Sequence, residues 1–162
     1  MTPSSVVVDA SVAVKWVLPE EWTDRAQALM AASIQARQRL VGTPHLFIEV
    51  VNAIYQRRRR GAPQERLSET EADQALARFL AFPLALLNPT PLYEQAFAFA
   101  RTHGLSNVYD SAYVVLAQLL NTTLWTADES LLNALGTAAP WVRFIGVYPL
   151  SREGLDNSSR VH

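Results

Sequence analysis

Three consecutive valines near the N-terminus, Val6 to Val8, run directly into an acid, Asp9. β-Branched residues favour extended backbone, and a run that is apolar on both faces suits a strand covered on both sides of a parallel sheet. The mostly apolar segment 10–18 then has helical character, so Asp9 is predicted at the carboxyl end of a central strand. Ligands of open α/β sheets bind at that edge. Asp9 is therefore a candidate functional residue, although Asp9 or Ser11 would equally serve to cap the following helix.

The composition is that of an ordinary folded domain. The chain has 162 residues, of which 49% are hydrophobic and 18% charged, and this length fits one domain with its own core. It has no apolar run of the roughly 18 to 20 residues that cross a bilayer and no signal-peptide pattern, so we expect no membrane contact and a cytoplasmic protein. Without cysteine, disulfides and thiolate metal sites are excluded. A net charge of −1 means that any nucleic-acid contact needs a local patch.

Strand and helix patterns alternate along the chain. An amphipathic helix is predicted over residues 22–40, and its apolar stripe, which we expect in the core, consists of Trp22, Ala26, Leu29, Met30, Ser33 and Ile34. Further strands are predicted at 40–41, 84–87, 122–125 and 142–148. Further helices are predicted at 44–60, 68–82, 90–101 and 107–120, and a short helix that follows the strand at 122–125 ends at residue 135. This order predicts a three-layer α/β/α domain with a mainly parallel sheet of about five strands. The domain is expected to span residues 1–150, followed by a polar C-terminal tail at 151–162.

Capping explains several polar residues locally. Asn107 and Asp110 have capping-box spacing at the start of one predicted helix, and Thr126 and Glu129 have it at the start of another. Asp128 would then lie in a first turn, where acids are favourable. Each of these residues therefore has a purely structural explanation.

Four consecutive arginines, Arg57 to Arg60, end the predicted helix 44–60 and are followed by Gly61. Basic residues at a helix C-terminus and a left-handed glycine cap have a structural explanation through the helix dipole. Four in succession exceed what capping requires. The run is either a solvated helix end or a contact surface for a partner.

Four acids nevertheless share a second pattern. Asp9 and Asp128 each follow a predicted strand, and the carboxyl ends of parallel strands lie on one edge of the sheet. Glu49 interrupts an apolar helix and Asp110 opens one, so all four carboxylates converge if these two helices face the same edge. Without a cation the four would repel and raise one another's pKa values. All-oxygen ligation points to Mg²⁺ or Mn²⁺, and such ions activate water and stabilise charge in phosphodiester cleavage.

The segments that carry these acids occur in a recognisable order over roughly residues 5 to 148. They are Val-Val-Val-Asp-Ala-Ser at 6–11, Pro44 followed by Ile-Glu-Val-Val-Asn-Ala at 48–53, Leu-Ser-Asn-Val-Tyr-Asp-Ser-Ala-Tyr-Val-Val-Leu-Ala at 105–117, and Leu-Trp-Thr-Ala-Asp at 124–128. In this order and spacing the chain resembles PIN-domain ribonucleases, most closely the VapC-like toxins of type II toxin–antitoxin systems. It departs from that pattern modestly, with Ala10 where many relatives have Thr and with a longer polar tail.

The resemblance implies a PIN-like fold and a Mg²⁺- or Mn²⁺-dependent endoribonuclease that hydrolyses RNA phosphodiester bonds and leaves a 5′-phosphate. It assigns catalysis and metal binding to Asp9, Glu49, Asp110 and Asp128. It assigns the orientation of carboxylates or water to Ser11, Asn52 and Thr126. It also implies a homodimer and a small antitoxin that occupies the cleft. Arg57 to Arg60 belong to no motif of the family, and we expect them to contact RNA phosphates or that partner from their charge alone.

Three alternatives are distinguishable from the residues. A haloacid-dehalogenase-like enzyme would need a second acid two residues after Asp9, where Ser11 stands. A response-regulator receiver would need a lysine after a late strand, and the only lysine is Lys15. A non-catalytic PIN-like module that binds RNA or protein is the remaining alternative. Loss of one or more acids would favour that module, and all four acids are present.

Overall fold

The computed structural model describes residues 4–151, so the predicted tail at 151–162 lies, after its first residue, outside the described residues. The strands are β1 (Ser5–Val8), β2 (Arg39–Gly42), β3 (Leu84–Leu86), β4 (Leu124–Thr126) and β5 (Val142–Phe144). The α-helices are α1 (Ala10–Ala13), α2 (Thr23–Gln35), α3 (Leu46–Arg57), α4 (Glu69–Leu80), α5 (Leu92–His103), α6 (Val108–Leu119) and α7 (Glu129–Leu135). Short 3₁₀ turns lie at Val14–Trp16, Pro63–Glu65 and Ile145–Val147.

The sheet is parallel throughout, with the strand order β3-β2-β1-β4-β5. The chain builds β2 and β3 outward on one side of β1 and then crosses to place β4 on the other side. The order therefore reverses between β1 and β4, where Val8 pairs with Trp125. Such switch points leave a crevice at the carboxyl ends of the strands, and Asp9 follows β1 directly at that crevice.

The valines of β1 show that both faces of the sheet are covered. Successive side chains of a strand point to opposite faces, and Val6, Val7 and Val8 are all buried. Helix α6 contacts β1 and β4, and α2 contacts β2. The predicted three-layer α/β/α arrangement with a five-stranded parallel sheet is confirmed.

The predicted helix over residues 22–40 was too long. Helix α2 ends at Gln35, and the chain turns through Arg37 at φ 53° before β2 begins. Ile34 is 55% exposed and does not belong to the core, whereas Ser33 is buried. Adjacent residues of an α-helix point about 100° apart, so the stripe that buries Ser33 leaves Ile34 facing solvent.

The predicted helix 44–60 was also too long, because α3 ends at Arg57. The backbone N–H of Leu67 donates to the Arg57 carbonyl at 3.1 Å, so the following loop takes one of the acceptors that the helix leaves free. Gly61 has a φ of 95°, but Arg58 caps the helix and Gly61 therefore does not. The arginine run thus straddles the end of α3 instead of lying within it.

Capping near β4 differs from the prediction at one helix and agrees at another. Asp128 caps α7, since its Oδ1 accepts from the N–H of Leu131 at 3.1 Å, while Thr126 belongs to β4. Asn107 caps α6 as predicted, accepting from the N–H of Asp110 at 3.0 Å.

The predicted strand at 142–148 ends at Phe144, and a 3₁₀ turn follows it. Within residues 4–151, no helix has the length and apolarity needed to span a bilayer.

Candidate functional site

Asp9 is buried where β1 meets α1, with only 5% of its surface exposed. Its Oδ1 accepts the N–H of Val12 at 3.2 Å and the hydroxyl of Ser11 at 2.5 Å. Its Oδ2 accepts the hydroxyl of Thr126 at 2.5 Å. Burial nevertheless dominates these bonds and raises the pKa of Asp9 to about 6. The residue is therefore both the helix cap that the sequence allowed and a carboxylate held in a fixed position.

The backbone after β4 fixes the direction of these two hydroxyl bonds. The N–H of Ala127 donates to Ser11 Oγ at 2.8 Å, and the N–H of Asp128 donates to Thr126 Oγ1 at 3.0 Å. Each hydroxyl then has one proton to give, and each gives it to Asp9. Ser11 and Thr126 were predicted to orient carboxylates, and they contact Asp9 directly; a part in catalysis stays a prediction.

Glu49 lies in the first turn of α3 and is half-buried. Its Oε1 accepts the hydroxyl of Tyr113 at 2.7 Å and lies 3.2 Å from Nε2 of His45. Burial raises the pKa of Glu49, the bond from Tyr113 lowers it, and the charge of Asp110 raises it. Burial lowers the pKa of His45.

Sequence reasoning missed Tyr113 because it lies in the apolar helix α6 and fits a core stripe. A signal was present, since a buried tyrosine hydroxyl needs a hydrogen-bond partner. Tyr113 is 1% exposed, and Glu49 supplies that partner. Burial and the neighbouring Glu49 charge both raise the pKa of Tyr113, so it stays a neutral donor.

Asp110 connects the four acids electrostatically. It lies in the first turn of α6, where its Oδ2 accepts the side-chain amide of Asn107 at 3.0 Å. Burial raises its pKa most, the bond from Asn107 lowers it, and the charge of Asp128 raises it. Asp110 in turn contributes, after burial, to the raised pKa values of Asp9 and Glu49. The four predicted site acids therefore share one electrostatic neighbourhood at the carboxyl edge of β1 and β4.

Asn52, the third residue predicted to orient carboxylates or water, differs from Ser11 and Thr126. It lies three residues after Glu49 on α3 and is exposed, and its side chain makes no hydrogen bond to any of residues 4–151. It therefore makes no hydrogen bond to the four acids. Its role stays a prediction.

The arginine run divides into two pairs. Arg57 bonds to Glu20 at 2.5 Å, and Glu20 also binds Lys15 at 3.0 Å, while Arg58 pairs with Glu69. Arg59 and Arg60 are exposed. A groove of about 730 Å³ opens here, lined among others by Glu20, Arg57, Arg60 and Arg66 and by none of the four site acids. The structure thus does not bring the arginine run into the acidic site.

The donor set of the acidic site fits a hydrated divalent cation. Three carboxylate oxygens, one each on Glu49, Asp110 and Asp128, accept no hydrogen bond from residues 4–151. In that part of the chain, no three His, Asp or Glu side chains are already arranged to hold an ion. Mg²⁺ does not need such a cage, because it keeps several waters and binds through one or two carboxylates. A cation would also offset the mutual repulsion of these carboxylates, which adds to burial in raising the pKa values of Glu49 and Asp110.

Comparison with known sequences agrees with this geometry. Residues 6–135 match the PIN domain family. The chain is 34% identical to "Ribonuclease VapC3" of Pyrobaculum aerophilum over 128 residues, covering 78% of this chain and 91% of that protein. It is 32% identical to "Ribonuclease VapC12" of Mycobacterium tuberculosis over 132 residues, covering 81% and 92% of the two chains.

Solved structures share the fold. PAE2754 from Pyrobaculum aerophilum superposes with a TM-score of 0.60 at 19% identity, over 88% of this chain and 90% of that one. FitAB, solved bound to an IR36 DNA fragment, has a TM-score of 0.52 at 16% identity, over 91% and 99%. At such identities these structures speak for the fold alone. The family match and the two VapC relatives establish that this chain belongs to the PIN-domain family and is a relative of the VapC proteins.

Proposed function

We propose that this protein is a metal-dependent endoribonuclease that hydrolyses RNA phosphodiester bonds at the acidic site. The observation that carries the proposal is the position of Asp9, which is buried at the switch point of the sheet with its two carboxylate oxygens held by Ser11 and Thr126. The relatives named Ribonuclease VapC3 and VapC12 support RNA as the substrate. A raised pKa at three of the four site acids favours a site that a cation completes.

The residues of the acidic site have distinct proposed roles. Asp9, Glu49 and Asp110 would hold Mg²⁺ or Mn²⁺, directly or through water, and Asp128 would complete the set. Such an ion would supply activation of water and neutralisation of the charge that develops on the phosphate. Ser11 and Thr126 keep the Asp9 carboxylate oriented through both oxygens. Holding these carboxylates before the substrate arrives reduces the reorganisation that the reaction requires.

The biological setting is the second part of this proposal. The chain is related to the VapC proteins. We propose that it is the toxin of a toxin–antitoxin pair, that it works as a homodimer in the cytoplasm, and that a small antitoxin inhibits it. The antitoxin would cover the acidic cleft. Arg59 and Arg60 are exposed and would contact RNA phosphates or that partner, whereas Arg57 and Arg58 already pair with Glu20 and Glu69.

The test is cleavage of a mixed RNA pool by purified protein in Mg²⁺, in Mn²⁺ and in chelator. We expect cutting that requires the metal, that leaves a 5′-phosphate and that is lost in Asp9→Asn and in Asp110→Asn. Glu94→Gln is the matched control, because Glu94 is an exposed acid on α5 outside the site. Equal cutting by Asp9→Asn and the wild type would reject the site. RNA that is bound but never cut would instead identify a binding module.

A further inference from the structure

We propose that Tyr109 is a stacking platform for an unpaired base of the RNA strand cleaved at the acidic site, an inference that rests on the proposed function. Tyr109 is 60% exposed, and it immediately precedes Asp110 in the first turn of α6. A large aromatic side chain is therefore left mostly exposed beside the acidic site. Its position places the ring where nucleotides next to the cleaved phosphate would pass.

The Tyr109 ring packs against a second ring, and that ring packs against a third. The rings of Tyr109 and His45 lie 5.1 Å apart between centroids with a tilt of 60°, and those of His45 and Tyr113 lie 5.0 Å apart at 66°. Tyr113 is buried, so the three rings form a row that leads from the core to the surface. A tyrosine held in this way offers a large apolar surface at low cost in conformational entropy.

Two other exposed aromatic rings, those of Tyr55 and Phe97, each have an arginine over the ring. Arg58 lies 5.2 Å from the centroid of Tyr55, and Arg101 lies 5.8 Å from that of Phe97. Tyr109 has no such cation over its ring among residues 4–151. Its exposed surface is therefore open to a flat partner.

Electrostatics explain why the site needs such a contact. Four carboxylates repel the phosphates of a nucleic acid, and the chain as a whole carries a net charge of −1. Stacking of a base on an aromatic ring is independent of this charge and is worth about 5- to 150-fold in affinity per base. Every base has a π-face, but a base inside a duplex is already stacked. The platform therefore selects single-stranded or looped RNA without requiring a fixed sequence.

The test compares binding of a fluorescently labelled, mixed-sequence single strand in Mg²⁺ buffer. All proteins carry Asp9→Asn so that the RNA stays intact. We expect Tyr109→Ala and Tyr109→Leu to raise Kd at least about fivefold and Tyr109→Phe to retain the affinity, since only the last keeps an aromatic ring. Tyr93→Ala is the control, because Tyr93 is a comparably exposed tyrosine on α5. The same RNA as a duplex should show no dependence on Tyr109.

A second measurement locates the base. An abasic nucleotide is moved along the strand, and at one position Tyr109→Ala should cause no further loss, because the base it would stack is already missing. The proposal is overturned if Tyr109→Ala binds the intact single strand as tightly as its Asp9→Asn parent, or if no single strand is bound at all. It is equally overturned if Tyr109→Ala changes only the oligomeric state, which would assign the ring to a protein interface.

Cleavage by protein with an intact Asp9 separates this inference from the proposed function. Metal-dependent cutting that Tyr109→Ala leaves unchanged, in rate and in KM, overturns the platform while the nuclease stands. Single-strand binding that depends on Tyr109, in a protein that cuts under no condition, supports the platform while the nuclease fails.

Discussion

The hydroxyl of Thr126 donates a 2.5 Å hydrogen bond to Oδ2 of Asp9 across 117 residues of sequence. This bond joins the end of β4 to the residue that follows β1, at the point where the strand order reverses. Thr126 is fully buried, and the N–H of Asp128 occupies its hydroxyl oxygen as a donor at 3.0 Å. The position of the first site acid is therefore set from a neighbouring strand as well as from its own.

Thr126→Val should lower both stability and activity. Valine keeps the shape but removes the donor, so a buried carboxylate oxygen loses its partner. We expect the free energy of unfolding to fall by about 1–3 kcal/mol at neutral pH. Cleavage should fall about 10- to 100-fold, as is typical when a group that orients a metal ligand is removed. Urea unfolding and cleavage of the RNA pool measure the two effects.

Thr126→Ser is the control for this prediction, because it keeps the hydroxyl and loses only a methyl group. It should retain most of the cleavage rate. Wild-type cleavage by Thr126→Val would show that the bond to Asp9 is dispensable for the reaction.

Asp9 should make the metal-free protein less stable as the pH rises. Its pKa is raised from 3.8 to about 6 in the folded state, mainly by burial, so the folded state holds this proton more tightly than the unfolded chain. The stabilisation is therefore present below about pH 4 and is lost as the pH rises to about 6, with a total on the order of 3 kcal/mol. The free energy of unfolding of Asp9→Asn should lack this pH-dependent contribution. Urea unfolding of both proteins in chelator, at about pH 4 and about pH 7, measures the difference.

Adding Mg²⁺ should restore the stability that the protein loses at neutral pH when Asp9 ionises, because the ion favours the ionised carboxylate. The melting temperature of the wild type should rise with Mg²⁺ concentration, and that of Asp9→Asn should rise much less. Parallel pH profiles for the two metal-free proteins would contradict the assignment of the shift to Asp9.

Tyr113→Phe should weaken metal binding more than catalysis. It removes the hydroxyl that donates to Glu49 at 2.7 Å and leaves the aromatic ring in the core. We expect the Mn²⁺ concentration for half-maximal cleavage to rise about tenfold, with the rate at saturating Mn²⁺ largely retained. Direct Mn²⁺ titration followed by calorimetry checks the same change without the reaction. Tyr93→Phe is the matched control, and an unchanged Mn²⁺ affinity in Tyr113→Phe would leave the tyrosine with a packing role only.

The sequence predicted those parts of the site that follow from the sheet. Three valines identified β1. The rule that the carboxyl ends of parallel strands share one edge of the sheet predicted, from the sequence alone, that Asp9 and Asp128 lie at the same edge. Those inferences needed only local patterns and a single topological rule.

Contacts between distant elements were not predictable in this way. Tyr113 matched the apolar pattern of α6, and only the approach of α3 reveals that its hydroxyl meets Glu49. The local spacing of Thr126 predicted a helix cap. The family resemblance assigned it to the orientation of carboxylates, and the approach of β1 shows that its hydroxyl bonds to Asp9. In both cases a local pattern and a tertiary contact competed for one polar group, and the tertiary contact determined where that group bonds.

The arginine run illustrates the same limit and yields a last prediction. Arg57 bonds to Glu20, a residue 37 positions earlier in the chain, so Arg57→Ala should lower the free energy of unfolding by about 0.5–1 kcal/mol. Arg59 is exposed, and Arg59→Ala should leave stability unchanged but reduce the slope of log Kd for RNA against log salt concentration by about one. Urea unfolding and RNA binding at several salt concentrations measure both variants. An unchanged slope in Arg59→Ala would exclude phosphate contact by this arginine, because each neutralised phosphate contributes counterion release to the salt dependence.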